Sequence, residues 1–141
     1  MNTIQKALVQ NSFAQVRPIA DAAAALFYRR LFELDPTLRP LFKGDMEEQG
    51  RKLMEMIGLA VKGLDRPEAL LPALAALGRR HAGYGVEERH YETVGEALLW
   101  TLEQGLGPSF TPEVREAWTA LYGFVADTMC NWENQNELPN N

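Results

Sequence analysis

Apolar residues recur at spacings of three and four along nearly the whole chain of 141 residues. This spacing follows the period of an α-helix and places the apolar side chains on one face of each helix. No run of β-branched residues alternates with polar residues, as it would in a strand buried on one side. The sequence therefore predicts an all-α protein.

Proline, glycine and capping residues divide this pattern into separate helices. Asp35-Pro36 and Thr111-Pro112 each combine a capping side chain with proline at the first helical position, and Asp65 and Glu68 have the spacing of a capping box. Glycines 83 and 85 end the helix that follows this box. The predicted helices cover residues 18–32, 36–42, 47–62, 66–81, 88–105 and 112–133.

Length and composition favour one folded domain over residues 1–141, with a frayed tail at 134–141. The net charge of −5, with both signs interspersed, disfavours a nucleic-acid partner. No stretch approaches about 18 uncharged apolar residues, so we expect no membrane span. The first residues lack the pattern of a secretory signal, which predicts a cytoplasmic protein.

One helix carries a histidine on its apolar face. Leu70, Leu74, Leu77 and His81 are spaced four, three and four residues apart, which predicts that the imidazole points inward. In an arbitrary protein such a residue is more often a hydrogen-bonded core histidine than a metal ligand. If it does bind a metal, haem is the natural carrier, because the porphyrin supplies four bonds and the chain has only one cysteine and two histidines. The second histidine, His90, is expected to be solvated at a polar helix start.

Five segments together resemble a known family. In order, they are "LFYRRLFELDPTLRPLF", "EEQGRKLMEMIG", "LGRRHAGYGV", "HYETVGEALL" and "EAWTALYGF". Over nearly its whole length the chain resembles the single-domain bacterial globins, the globin part of flavohaemoglobins and the neuroglobin-like proteins. The resemblance implies a globin fold, a three-over-three helical sandwich around haem b (iron protoporphyrin IX). It also implies that the small helix between Phe42 and Gln49 is short or absent.

The resemblance assigns roles to individual positions. His81 becomes the proximal ligand of the haem iron, and Phe42 packs flat on the porphyrin, although an ordinary core aromatic would be equally apolar. Tyr28 and Gln49 face the bound ligand, and Leu53 lines the same pocket. The remaining haem contacts implied are Val86, Tyr91, Val94 and Tyr122 in the proximal and lower wall, and Lys52 or Arg51 at a propionate.

Hydrogen bonds on the two sides of the haem would shape its chemistry. A tyrosine hydroxyl and a glutamine amide directed at bound oxygen stabilise it in a dry pocket. Because glutamine is a poor iron ligand, we expect five-coordinate ferrous iron. The family also implies a proximal set of His81, Tyr91 and Glu133, in which the carboxylate makes the imidazole more electron-donating and favours oxygen activation. A solvent-exposed Glu133 is an equally open alternative.

These residues predict a haem protein that binds O2 at ferrous iron and acts on gaseous ligands. The chemistry that the family suggests is nitric oxide dioxygenation, in which a separate reductase supplies the electron because the sequence has no flavin or nicotinamide motif. A reversible oxygen carrier or store without turnover, a gas sensor, and a haem-free helical interaction module remain alternatives. A Soret band in the purified protein decides between haem and the last of these.

Overall fold

The computed structural model describes residues 1–133, and these form helices and connections with no strand. The expectation of an all-α chain is therefore confirmed, whereas the fraying predicted for 134–141 lies outside the described residues. Short 3₁₀ segments at Arg17–Ile19, Pro36–Leu41, Gly63–Asp65 and Gly107–Ser109 connect the longer helices. The α-helices are α1 (Thr3–Val16), α2 (Ala20–Leu34), α3 (Met46–Lys62), α4 (Pro67–Gly83), α5 (Glu88–Leu106) and α6 (Pro112–Cys130).

Capping side chains fix several of these boundaries. Asp35 accepts the Thr37 N–H at 3.0 Å, and Thr111 accepts the Val114 N–H at 3.2 Å, so both predicted cap-and-proline signals are confirmed. The predicted capping box from Asp65 is wrong. Asp65 ends the 3₁₀ segment that carries the buried Leu64 into the core, and α4 begins after Arg66 without a side-chain cap.

Other boundaries differ from the sequence prediction by a few residues, including the ends of α2 at Leu34 and of α4 at Gly83. Pro18 lies within the 3₁₀ segment that separates α1 from α2, so α2 begins at Ala20. The last helix has its C-cap at Asn131 and therefore ends shortly before the predicted residue 133. Helix ends depend on a few local hydrogen bonds, so shifts of this size are ordinary.

The helices form two layers of three. Helices α1, α3 and α4 lie over α2, α5 and α6, with close packing of α4 and α1 on α6 and of α3 on α2. Within the second layer, α2 packs along α5 and α5 along α6. This arrangement confirms the three-over-three sandwich.

The connection between Phe42 and α3 is short. Phe42 caps the 3₁₀ segment before it, Gly44 adopts a left-handed φ of 102°, and Asp45 caps α3 by accepting the Glu47 N–H at 3.0 Å. Only glycine adopts such a φ without strain, so the chain turns into α3 within three residues. The short or absent helix expected between Phe42 and Gln49 is therefore confirmed.

The core holds two apolar clusters. The larger joins α1, α2, α3, α5 and α6 around the fully buried Trp118, and the smaller joins α4 to α6 through Leu70, Leu74 and Met129. The described helices include none that is both long enough and apolar enough to cross a membrane.

Candidate functional site

A cavity of about 190 Å³ lies between the two layers. Its walls are almost entirely apolar and come from five of the six helices, α2 to α6, and from the segments that join them. Protein interiors are normally close-packed, so an apolar space of this size indicates a place for a ligand. Of the predicted site residues, the cavity brings together Tyr28, Phe42, Leu53, His81, Val86, Tyr91, Val94 and Tyr122.

His81 reaches the cavity from the last turn of α4. Leu70 and Leu74, on the same helix, are buried against α6, which turns the following residues of that face toward the cavity. After Gly83 the chain folds back, and the Val86 N–H donates to the His81 carbonyl at 3.0 Å. The residue is therefore held both by the packing of its helix and by the turn that follows it.

The His81 ring presents one free nitrogen. Its Nδ1 lies 2.9 Å from the Leu77 carbonyl oxygen, which can only accept, so Nδ1 carries the proton and Nε2 carries the lone pair. Burial lowers the pKa of His81, and nearby Arg80 lowers it further against the opposing effect of the Leu77 hydrogen bond. The ring is therefore neutral at neutral pH and its Nε2 can bind a metal.

Tyr28 places a hydroxyl group at the cavity from α2. The side chain is 8% exposed, and its hydroxyl donates to the backbone carbonyl of Gln49 on α3 at 3.3 Å. Burial raises the pKa of Tyr28 to about 12, so the phenol keeps its proton. The cavity wall therefore carries a hydrogen-bond donor whose present hydrogen bond is long and weak.

The aromatic side chains of this wall support one another. The Phe42 ring meets the Tyr28 ring edge-on, with their centroids 5.3 Å apart, and meets the Phe32 ring in the same manner at 5.5 Å. Edge-to-face contacts of this kind are favourable beyond the area that they bury. Phe42 is thus held at the cavity by its neighbours as well as by its place at the end of the 3₁₀ segment.

The lower wall contains a pair of tyrosines. The Tyr122 hydroxyl on α6 donates to the Tyr91 carbonyl on α5 at 2.5 Å. Gly95 permits this approach, because a Cβ there would lie 2.8 Å from the Tyr122 ring. Burial raises the pKa of Tyr91 to about 12 and raises that of Tyr122 as well, so both side chains stay neutral.

Four predicted residues, Gln49, Arg51, Lys52 and Glu133, lie outside the cavity lining. Gln49 is half-buried and contributes its backbone carbonyl to Tyr28, while Lys52 and Glu133 are exposed. The proton on His81 Nδ1 goes to the Leu77 carbonyl. Among residues 1–133, no hydrogen bond joins His81 to Tyr91 or Glu133, so the structure does not bring that predicted set together.

His90 is the main residue that the sequence analysis misplaced. It was expected in solvent, but it is 5% exposed and lines the cavity. Its Nδ1 accepts the Glu87 N–H at 2.9 Å, which leaves the proton on Nε2. Because the imidazole satisfies a free N–H at the start of α5, the ring can turn inward at what looked like a polar helix end. A histidine at the third position of a helix can accept the N–H of the capping residue, so the position of His90 in the sequence could have suggested this role.

The residues present fit a haem group. Within the part of the chain that the structure describes, no three His, Cys, Asp or Glu side chains are grouped to hold a metal ion by themselves. His81 instead offers a single neutral imidazole in a broad apolar cavity, which suits an iron whose other bonds come from a porphyrin. The apolar walls would exclude water from a bound macrocycle.

Comparisons with known proteins agree with this geometry. The globin family model matches residues 25–129. Neuroglobin from Danio rerio is 33% identical over 96% of this chain and 95% of its own length. Flavohemoproteins from Chromobacterium violaceum and Vibrio cholerae are each 30% identical, over 92% and 89% of this chain. The chain spans only 33% of the length of these flavohemoproteins.

Solved structures give the same result. An engineered carbene transferase, described as a candidate nitric oxide dioxygenase from Rhodothermus marinus, is 30% identical with a TM-score of 0.85, covering 98% of this chain and 96% of its own. A bacterial globin from Campylobacter jejuni is 23% identical with a TM-score of 0.82, covering 99% and 100%. The second similarity supports the fold alone.

Proposed function

The chain belongs to the globin family, and from this premise we propose that it holds haem b on His81 and acts on O2 and NO as a nitric oxide dioxygenase. Globins bind haem and diatomic gases. The observation that carries the proposal is the neutral imidazole of His81, whose Nε2 is free in an apolar cavity. We also propose that residues 1–141 form one globin domain and that the protein is cytoplasmic.

The chain contributes water exclusion and a positioned donor. Haem, when bound, supplies an iron that binds diatomic gases and exchanges an electron. The Tyr28 hydroxyl keeps its proton, and its hydrogen bond to the Gln49 carbonyl is long, so turning it toward an electron-rich ligand costs little. The dry, apolar wall would make a hydrogen bond from Tyr28 to the ligand stronger than the same bond in water. We further propose that the Gln49 amide turns inward as a second donor and that Phe42 packs on the macrocycle.

The reaction requires an electron that a globin domain does not itself supply. Nitric oxide, O2 and one electron combine to give nitrate. A separate reductase of the flavin- or nicotinamide-dependent class would supply that electron. Two similarities support this chemistry: the flavohemoproteins, and the Rhodothermus marinus protein described as a candidate nitric oxide dioxygenase. We also propose that Lys52, exposed on α3, contacts a haem propionate.

One observation favours reversible oxygen carriage as a second candidate. His81 donates its N–H to the neutral carbonyl of Leu77, and Glu133 lies exposed. A neutral acceptor makes the imidazole less electron-donating than a carboxylate does, which favours storage over oxygen activation. Replacing Glu133 with Gln tests whether the carboxylate acts on His81 despite this arrangement: an unchanged iron–histidine stretching frequency supports the carrier.

Absorption spectra of the purified protein test the haem proposal directly. We expect a Soret band, a five-coordinate spectrum for the deoxygenated ferrous form and a new spectrum after exposure to O2. His81→Gly removes the only proposed protein ligand, so its ferrous spectrum should change and its haem should be lost more readily. A wild-type chain without a Soret band, or a glycine variant with the same fifth ligand, contradicts the proposal.

Gas kinetics separate the two candidate functions. Slow O2 dissociation with rapid NO consumption in the presence of a reductant identifies the dioxygenase, whereas fast dissociation without turnover identifies the carrier. Tyr28→Phe should release O2 roughly tenfold faster, because it loses a hydrogen bond worth about 1.5 kcal/mol. Tyr84→Phe is the matched control, since it removes the same group from a side chain that is 66% exposed. Equal rates in both variants would show that Tyr28 does not contact the ligand.

A further inference from the structure

Gly78 brings α4 close to the backbone of α6 at Met129. All 11 glycines of the chain lie within residues 1–133. A Cβ built on Gly78 would lie 2.7 Å from both the Cα and the carbonyl carbon of Met129, and closer still to the Met129 oxygen. At every other glycine, such a Cβ would meet only side-chain atoms or would have nothing within 4 Å. Among these glycines, only Gly78 has main-chain atoms of another helix as the nearest neighbours of an added Cβ.

This contact cannot be relieved by a side-chain rotation. At Gly63 and Gly95 an added methyl group would meet Leu70 and Tyr122 side-chain atoms, which can move. At Gly78 it would meet main-chain atoms near the end of α6, so one of the two helices would have to shift. The absence of a side chain at residue 78 thus fixes the distance between α4 and α6.

Gly78 continues the row of residues that faces α6. Leu70, Leu74 and Gly78 are spaced four residues apart, and the two leucines pack on Met129 in the smaller core cluster. The row thus contacts α6 through two leucine side chains and then, at Gly78, through the backbone itself. Met129 also lines the cavity, so the contact lies at the cavity wall.

His81 lies less than one turn beyond this contact. The carbonyl that orients its ring belongs to Leu77, the residue directly before Gly78. A helix is stiff over so short a distance, so a displacement at Gly78 moves both the imidazole and the acceptor that fixes its orientation. Within residues 1–133, the His81 ring makes no other hydrogen bond that would hold it in place.

We propose that Gly78 is a positioning residue, whose contact with the Met129 backbone sets where the His81 imidazole stands in the cavity and hence the geometry of its bond to iron. This inference rests on the proposed function. It adds that Gly78, which does not itself line the cavity, would determine how strongly His81 binds the iron.

The test compares Gly78→Ala with Gly83→Ala in the haem-loaded protein. Gly83 lies on the same helix, and a Cβ there would meet nothing within 4 Å, so it provides the matched control. We expect Gly78→Ala to shift the iron–histidine stretching band in the resonance Raman spectrum and to lose haem to a scavenging apoprotein about tenfold faster. Gly83→Ala should match the wild type in both measurements.

A second background separates positioning from general destabilisation. In His81→Gly supplied with free imidazole, the iron ligand is no longer attached to α4. Adding Gly78→Ala there should leave the iron–imidazole band unchanged, whereas a purely structural disturbance of the cavity would still move it. A band shift of equal size with and without the covalent link overturns the proposal.

The remaining outcomes are also decisive. A folded Gly78→Ala chain with the wild-type band and wild-type haem loss refutes the inference while leaving the proposed function intact. A wild-type chain that binds no haem refutes both. If Gly78→Ala does not fold, Leu74→Val loosens the same helix contact without adding atoms at residue 78, and an unchanged band and haem-loss rate in that variant overturn the proposal.

Discussion

His81 stays uncharged because the apolar cavity disfavours its protonated form, and the Leu77 carbonyl determines which ring nitrogen keeps the proton. The two effects together leave a lone pair on Nε2 at neutral pH. Tyr28 shows the complementary case, since burial raises its pKa to about 12 and preserves a donor. One acceptor and one donor are thus available at the same cavity.

The lowered pKa of His81 predicts a pH dependence of the free energy of unfolding of the haem-free protein. The unfolded chain takes up a proton near the ordinary value of 6.5, whereas the folded chain does so only at lower pH. Stability is therefore complete above pH 6.5 and declines as the pH falls from there toward the folded-state pKa. Urea denaturation at about pH 7.5 and about pH 5.5 measures the decline.

His81→Gln is the control for that experiment, because glutamine does not titrate. Its unfolding free energy should fall less between the two pH values than that of the wild type. Other titrating groups are common to both chains and cancel in the comparison. An equal fall in the two proteins would show that His81 is not protected from protonation.

Helices α1 and α6 are joined by a buried hydrogen bond between residues far apart in sequence. The Trp118 indole N–H donates to the Ser12 hydroxyl at 2.8 Å, and that hydroxyl donates to the Leu8 carbonyl at 2.7 Å. Trp118 is 1% exposed and also lines the cavity. The position of α1 is therefore coupled to one wall of the site.

Ser12→Ala should lower the free energy of unfolding by about 1–3 kcal/mol, because it leaves the Trp118 N–H buried without an acceptor. Thr119→Ala is the control. Thr119 also donates to a carbonyl four residues back, but it is exposed and accepts no buried N–H, so its loss should change stability little. Chemical denaturation of the three proteins measures the difference, and similar values for both variants would contradict the assigned role of Ser12.

A ligand in the cavity would contact both layers of the molecule. Residues of α2, α3, α4, α5 and α6 all line it, so a bound haem would contact all five of these helices. Because α4 packs chiefly on α6, a bound haem should stabilise α4 more than the other helices. Binding and folding should therefore be linked across the whole molecule.

Haem binding is predicted to raise the free energy of unfolding with ligand concentration. At a free haem concentration one hundred times the Kd, the gain is about 2.7 kcal/mol for a ligand that binds only the folded chain. Amide hydrogen exchange should slow most in α4. Denaturation at several haem concentrations checks the gain, and His81→Gly should show a smaller one. A stability that does not depend on haem would exclude a site inside the fold.

The helical class, most helix positions and the inward direction of His81 could be predicted from the sequence, because periodicity and capping are local properties of the chain. The burial of His90, the contact of Tyr28 with the Gln49 carbonyl and the contact of Gly78 with Met129 could not. The Tyr28 and Gly78 contacts join different helices, and the burial of His90 follows from the packing around α5. Sequence patterns specify which face of a helix is apolar, whereas the packing of helices against one another sets how closely particular atoms approach.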